Sequence, residues 1–341
     1  MTAAPARHPV QNASPVDPGK QRGLQRLTTD DGFFTILALD HLIAFQTLIN
    51  KDRSQVTYAE TVEAKLALLR IFMADASAVL LDPAFTIGPA IGAGILPSHV
   101  GLIASIEGEG YDDFVGERRT RFRSGWTTRK IRMIGADMAK LLWFYRPEAS
   151  TAADQRDVVR RLVDECAGLS LPLVVEPIWY PMQGEDVTSA QWRARRVEGI
   201  IESAHLAGEL GADVLKVEFP GEVATDEDRA AALDACRRLD AGVTQPWVLL
   251  SAGVGYEAFK MQVEIACRAG SAGFLGGRSI WGEAVAAQGE LPRVDAARVA
   301  GERFRELVAV TRAHGRPFRP GLSGADLTAA FPAGWYEKWQ A

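Results

Sequence analysis

Histidine and cysteine are scarce, with five and three residues in a chain of 341. The histidines (His8, His41, His99, His205, His314) are dispersed and form neither HxH nor HExxH. That excludes the common helical metal motifs, and no metal is expected. A trio of His41, Asp82 and His99 is the one metal alternative that remains. Cys166, Cys236 and Cys267 stand singly within helical patterns, with no paired spacing. This speaks against a disulfide framework and for a reducing cytoplasm. No run reaches the roughly 18 apolar residues of a spanning helix, so no membrane partner is expected. An excess of positive charge is missing too: 38 Lys and Arg stand against 43 Asp and Glu, a net −5. Nucleic acid therefore has no electrostatic case. Nor does a glycine fingerprint follow the first strand-like run, where the chain reads Asp40-His-Leu-Ile-Ala, which speaks against an open dinucleotide-binding sheet.

What is present is a hydrophobic share of 47% and a charged share of 24%, ordinary for a globular chain with a large core. Eight apolar runs recur: 33–40, 78–83, 102–106, 139–145, 172–178, 211–219, 247–251 and 272–275. Amphipathic helices are expected between them over 58–73, 152–167, 187–210, 226–239, 256–269 and 295–314, with a short one near Pro97. Strands alternating with helices through short connections predict a (β/α)8 TIM barrel over residues 25–316 as a single domain. Residues 1–24, rich in Ala, Pro and polar types and without the apolar core of a signal peptide, read as a flexible arm. Residues 317–341 form a C-terminal tail. Its aromatics (Phe331, Trp335, Tyr336, Trp339) would pack on a neighbour or on the chain's own barrel, and a homo-oligomer is expected.

In such barrels the chemistry lies at the carboxyl ends of the strands. Asp40, Asp82, Glu107, Glu109, Glu176, Lys216, Glu218, Ser251 and Arg278 fall at or near those ends, whereas Lys140 sits near the start of its run. Lys216 is the sharpest. A lysine within Val-Leu-Lys-Val must find a partner, shed its charge or do chemistry. Burial and a nearby cation both depress a lysine pKa, which makes an amine able to form a Schiff base; a structural ion pair is the other reading. Alternation would put Glu218 on the same face as Lys216. Ser251-Ala-Gly253 and Gly276-Gly-Arg278 supply a hydroxyl, glycines and a guanidinium where barrels often hold phosphate, after strands seven and eight. The segment 118–132 carries seven cations. It reads as a solvated helix start, or as the source of one or two arginines for the far, anionic end of a substrate.

The motifs ALD (38–40), LLDP (80–83), GADMAKLLWFY (135–145), VVEP (174–177), GADVLKVEFP (211–220), LLSAGV (249–254) and GGRSIW (276–281) follow one another in order. Together, over 31–281, they resemble the tagatose-1,6-bisphosphate aldolase family, lysine-dependent barrel enzymes that include sulfofructose-1-phosphate aldolases. The resemblance implies that Lys216 is the Schiff-base lysine, Glu176 the proton-transfer carboxylate and Lys140 a second active-site lysine. Asp40 and His41 would meet substrate hydroxyls. Ser251 and Arg278, with the amides about Gly253 and Gly277, would hold the ketone-side phosphate, with no cofactor and no metal. The implied reaction is reversible cleavage of a ketose 1-phosphate, a sugar phosphate, to dihydroxyacetone phosphate and a three-carbon aldehyde. Where the family continues its first strand as Asp-Gln-Arg, this chain has Asp40-His41-Leu42, which leaves the aldehyde half open between phosphate and sulfonate. The alternative is a non-catalytic sugar-phosphate sensor on the same barrel. Retention of Lys216, Glu176 and Lys140 together argues against it.

Overall fold

The strands are short and almost wholly buried, as the unbroken runs of Val, Leu, Ile and Ala require. In the computed structural model, which describes residues 17–108, 117–287, 289–322 and 324–339, they are β1 (Phe34–Leu39), β2 (Ala78–Leu81), β3 (Gly101–Ser105), β4 (Met138–Phe144), β5 (Leu173–Ile178), β6 (Val214–Val217), β7 (Trp247–Leu250) and β8 (Gly273–Gly276). Each pairs in parallel with its successor, and β8 pairs with β1, closing the barrel. The helices are α1 (Pro18–Arg26), α2 (Ile43–Ile49), α3 (Tyr58–Phe72), α4 (Ile87–Gly92), α5 (Thr128–Met133), α6 (Ala152–Ala167), α7 (Ala190–Glu209), α8 (Asp226–Ala241), α9 (Tyr256–Ala269), α10 (Arg278–Ala286), α11 (Glu290–His314), α12 (Gly324–Ala330) and α13 (Trp335–Lys338). Capping boxes start two of the long ones, Thr57 with Glu60 at α3 and Thr225 with Asp228 at α8. Among the described residues no helix is long and apolar enough to cross a membrane.

Alternation along the strands splits the core in two. Leu37, Leu39, Val79, Leu81, Leu215 and Val217 face the helices, while Phe34, Ile36, Leu80, Ile103, Met138, Val174, Val214 and Val248 fill the barrel. Two residues beyond Met138, Val174 and Val214 come Lys140, Glu176 and Lys216, so the period of two lifts these three onto the inner face at the mouth. The stagger of a closed barrel does the rest: Lys140, third in its strand, is level with Ser105 at the end of β3.

Three expectations are corrected. The flexible arm gives way at Pro18 to α1, whose N-cap Asp17 accepts from Gly19 N (2.8 Å) and Lys20 N (3.0 Å). Lys20 pairs with Asp213 (2.9 Å) and Arg26 with Asp137 (2.7 Å), fastening α1 across the amino-terminal end of the barrel. Gly23 lies so close to this end that a Cβ there would stand 2.6 Å from the Asp137 carbonyl. Residues 1–16 lie outside those described. The short helix near Pro97 is a turn, and the helix forms earlier, as α4. Finally, β6 ends at Val217, so Glu218 escapes the alternation. It takes hydrogen bonds from Arg196 of α7 (2.7 Å) and from Trp179 N (3.0 Å), away from Lys216. In the tail, Phe318 stacks on Phe34 (centroids 5.7 Å), covering the chain's own barrel from below.

Candidate active site

The mouth holds a cavity of about 210 Å³ whose wall includes Asp40, His41, Glu107, Lys140, Glu176, Lys216 and Arg278. Lys216 Nζ is 2.9 Å from Glu176 Oε1, and Lys140 Nζ is 2.8 Å from Glu176 Oε2. Glu176 thus bridges two lysines, each with under 5% of its surface exposed. Lys140 also donates to Asp40 Oδ2 (3.1 Å) and to Glu107, whose other oxygen accepts from Leu142 N (3.2 Å).

Burial works against the charge on Lys140, but Glu107, Glu176 and Asp40 overcome it and hold the ammonium well above the usual lysine range. Burial likewise pushes the Asp40 and Glu176 carboxyls up, and the two lysines more than reverse it, leaving both below their ordinary values. Glu107 goes the other way: burial, with Asp40 adding to it, outweighs Lys140 and raises its pKa. Burial pulls His41 down to about 4, against the opposing pull of Asp40. The imidazole is therefore neutral at pH 7, with Nδ1 3.6 Å from Asp40 Oδ1 and its ring edge-on to Trp281.

Across the mouth, Gly277 N donates to Ser251 Oγ (3.2 Å) and Ser279 Oγ to Val254 O (2.5 Å), tying the β7 and β8 turns together. Ala252 (φ +46°) and Gly253 (φ +75°) are both left-handed, a conformation that strains a side chain. A Cβ on Gly253 would stand 3.1 Å from the Arg278 guanidinium, and one on Gly277 2.9 Å from His41. Glycine lets the backbone come this close. Arg278 opens α10, whose N-terminus therefore faces the same place. Ser251, Gly253 and Gly277 stand behind Arg278 rather than on the cavity wall.

A family model described as DeoC/LacD family aldolase matches residues 34–283, from β1 into α10. The chain belongs to this aldolase family. Tagatose 1,6-diphosphate aldolase of Lactococcus lactis subsp. lactis is 28% identical over 286 residues, covering 78% of this chain and 86% of its own. Tagatose 1,6-diphosphate aldolase 2 of Enterococcus faecalis is 29% identical over 315 residues, with coverages of 86% and 94%. Among solved structures, a Schiff-base-forming fructose-1,6-bisphosphate aldolase superposes with a TM-score of 0.59 at 20% identity, covering 84% of this chain and 99% of that one. A fructose-bisphosphate aldolase from Plasmodium falciparum gives 0.61 at 13%, with coverages of 89% and 97%. These two likenesses bear on the fold.

The aldolase, an aldehyde-lyase, thus gathers at one rim most of the residues singled out from its sequence. The metal trio does not converge. Asp82 is taken by Lys65 of α3 (2.5 Å), both wholly buried, and by Thr86. His99 precedes β3, at the end of the barrel opposite His41. Glu107, placed by its sequence at the end of the third strand but given no role there, is a direct partner of Lys140. Its signal was its place directly after the third apolar run, the place Asp40 holds after the first.

Proposed function

We propose that this aldolase cleaves a ketose 1-phosphate through a Schiff base on Lys216, giving dihydroxyacetone phosphate and a three-carbon aldehyde. The observation that carries this reading is Glu176 bridging Lys216 and Lys140 inside the barrel mouth. Two amines reach the cavity, and their surroundings divide the work. Lys140 is ringed by three carboxylates and stays an ammonium, which cannot attack a carbonyl. Among the described residues Lys216 pairs with Glu176 alone, and it is the amine left for attack at C2.

The steps then follow from the groups present. Lys216 adds to C2, and Glu176 carries the protons that turn the carbinolamine into an iminium and water. The iminium draws electrons as the C4 hydroxyl loses its proton and the C3–C4 bond breaks, releasing the aldehyde. The remaining enamine is protonated at C3, and water frees dihydroxyacetone phosphate and the amine. Asp40, ionised and 3.1 Å from Lys140, orients substrate hydroxyls, and neutral His41 offers a further hydrogen bond. The names of the tagatose 1,6-diphosphate aldolases support a bisphosphate substrate; the sulfonate analogue fits the same reading. Three free, buried thiols accord with a reducing cytoplasm as its location.

Sodium borohydride added with dihydroxyacetone phosphate tests this directly. Mass spectrometry should find the reduced adduct on the peptide containing Lys216. An adduct on Lys140 instead, or none, sinks the proposal. The phosphate half has its own test. Arg278→Ala removes the guanidinium on the cavity wall that would meet a dianion, a charged hydrogen bond worth about 1.5–3 kcal/mol. KM for a ketose 1-phosphate should rise by roughly tenfold or more, with kcat changed less; an unchanged KM would place the phosphate elsewhere.

A further inference from the structure

We propose that Arg123 binds the second anionic group of a ketose charged at both ends, an inference that rests on the Schiff-base reading above and deepens it. Just past β3, residues 106–108 are met by residues 121–123. Phe122 forms an antiparallel bridge with Glu107, Gly108 N donates to Arg121 O (2.6 Å), and Arg123 N donates to Ile106 O (3.3 Å). Trp126 locks the turn, its Nε1 donating to Ser105 O (3.0 Å) and its backbone N to Arg123 O (3.2 Å). Every one of these bonds to Arg123 uses its main chain, so its side chain is positioned without being spent. Phe122 points out, under the guanidinium of Arg161 from α6 (5.2 Å). Alternation turns Arg123 the other way, onto the cavity wall with Lys216 and Arg278.

Other cations of this segment are engaged. Arg119 pairs with Asp154, and Arg118 stacks on Phe144 and Tyr180. Arg123 pairs with no carboxylate among the described residues, and its Nε is shut from solvent with no hydrogen-bond partner. The acids of that cavity, Asp40, Glu107 and Glu176, are held by Lys140 and Lys216, so a guanidinium fixed by backbone bonds and paired with none of them is suited to an incoming oxyanion. Arg278, at the other anionic site, is likewise unpaired by any described carboxylate. In the closed strand order the two arginines follow β8 and β3, three strands apart one way and five the other. An extended six-carbon ketose lying across the mouth, its C1 phosphate at Arg278, would bring a C6 oxyanion to Arg123. Phosphate and sulfonate share that chemistry.

The test compares kcat/KM for three ketose 1-phosphates that differ only at C6, bearing a hydroxyl, a phosphate or a sulfonate. In the wild type, the charged ends should be preferred. In Arg123→Ala, the preference for a charged C6 should fall at least tenfold, carried mainly by KM, and Arg123→Lys should keep part of it. Whichever of phosphate and sulfonate loses more identifies the source. A preference unchanged within twofold, or an equal loss on all three substrates, overturns the inference, the second outcome assigning Arg123 a structural role only. Borohydride trapping in the same samples separates the two levels. An adduct on Lys216 with an unchanged preference removes Arg123 alone; no adduct removes the Schiff-base reading with it.

Discussion

Lys216→Met is expected to lower cleavage at least about 10⁴-fold, the scale seen when a covalent nucleophile is removed, and to abolish the borohydride adduct. The variant should stay folded. Methionine matches the length of the lysine stem, and the position is buried at the mouth above Val214. Glu176 keeps Lys140 as partner at 2.8 Å, so the substitution strands no carboxylate. The melting temperature should therefore move little while activity disappears, and calorimetry alongside a coupled assay of dihydroxyacetone phosphate release reads both. More than about one part in a hundred of wild-type cleavage would be incompatible with covalent catalysis at this position. A wild type that binds sugar phosphates, forms no adduct and cleaves none of them would instead favour the sensor.

The strands were legible because a parallel barrel buries both faces of each one, leaving continuous apolar runs that stand out against the amphipathic helices. The same logic exposed Lys216 and Glu176, since a charge inside such a run has few explanations. What stayed hidden depended on features that no local pattern carries. The position of Lys140 was obscured because its height depends on barrel stagger, not on its place in the run. Asp82 looked equivalent to Asp40, yet Lys65, seventeen residues earlier on α3, captures it behind the barrel wall. A lysine on an amphipathic helix ordinarily faces solvent; Lys65 is instead wholly buried, its ammonium over the Phe45 ring. At α1 the signal was present but masked: Asp17-Pro18 is an N-cap followed by proline at the first helical position, set in a composition otherwise typical of a loose arm. Among seven cations in 118–132, only the bridge between Glu107 and Phe122 distinguishes Arg123.

The second large effect is expected from Lys140→Met, and here stability and activity fall together. Lys140 is the common partner of Asp40, Glu107 and Glu176, all nearly buried. Removing it strands charge inside the barrel, and breaking a buried pair in this way costs about 3–5 kcal/mol. Its dependence on pH follows from the direction of each shift. Asp40 and Glu176 lie below their ordinary values, so the stability they contribute is present above about pH 4 and is lost as pH falls through their folded values. Glu107, raised, works in the opposite sense and already costs stability when ionised. Lys140 itself, raised, contributes fully below about pH 10.4 and loses that contribution only as pH rises through its folded value. At pH 8, then, the variant has lost a cation that was fully charged and kept carboxylates that are ionised. At pH 5 those carboxylates, without Lys140 to depress them, begin to take up protons and the deficit shrinks. Urea denaturation of both proteins at the two pH values measures this difference. A deficit below about 1 kcal/mol at pH 8, or one that grows toward pH 5, would mean that Lys140 does not hold the three carboxylates together, and with that its separation of roles from Lys216 would fail.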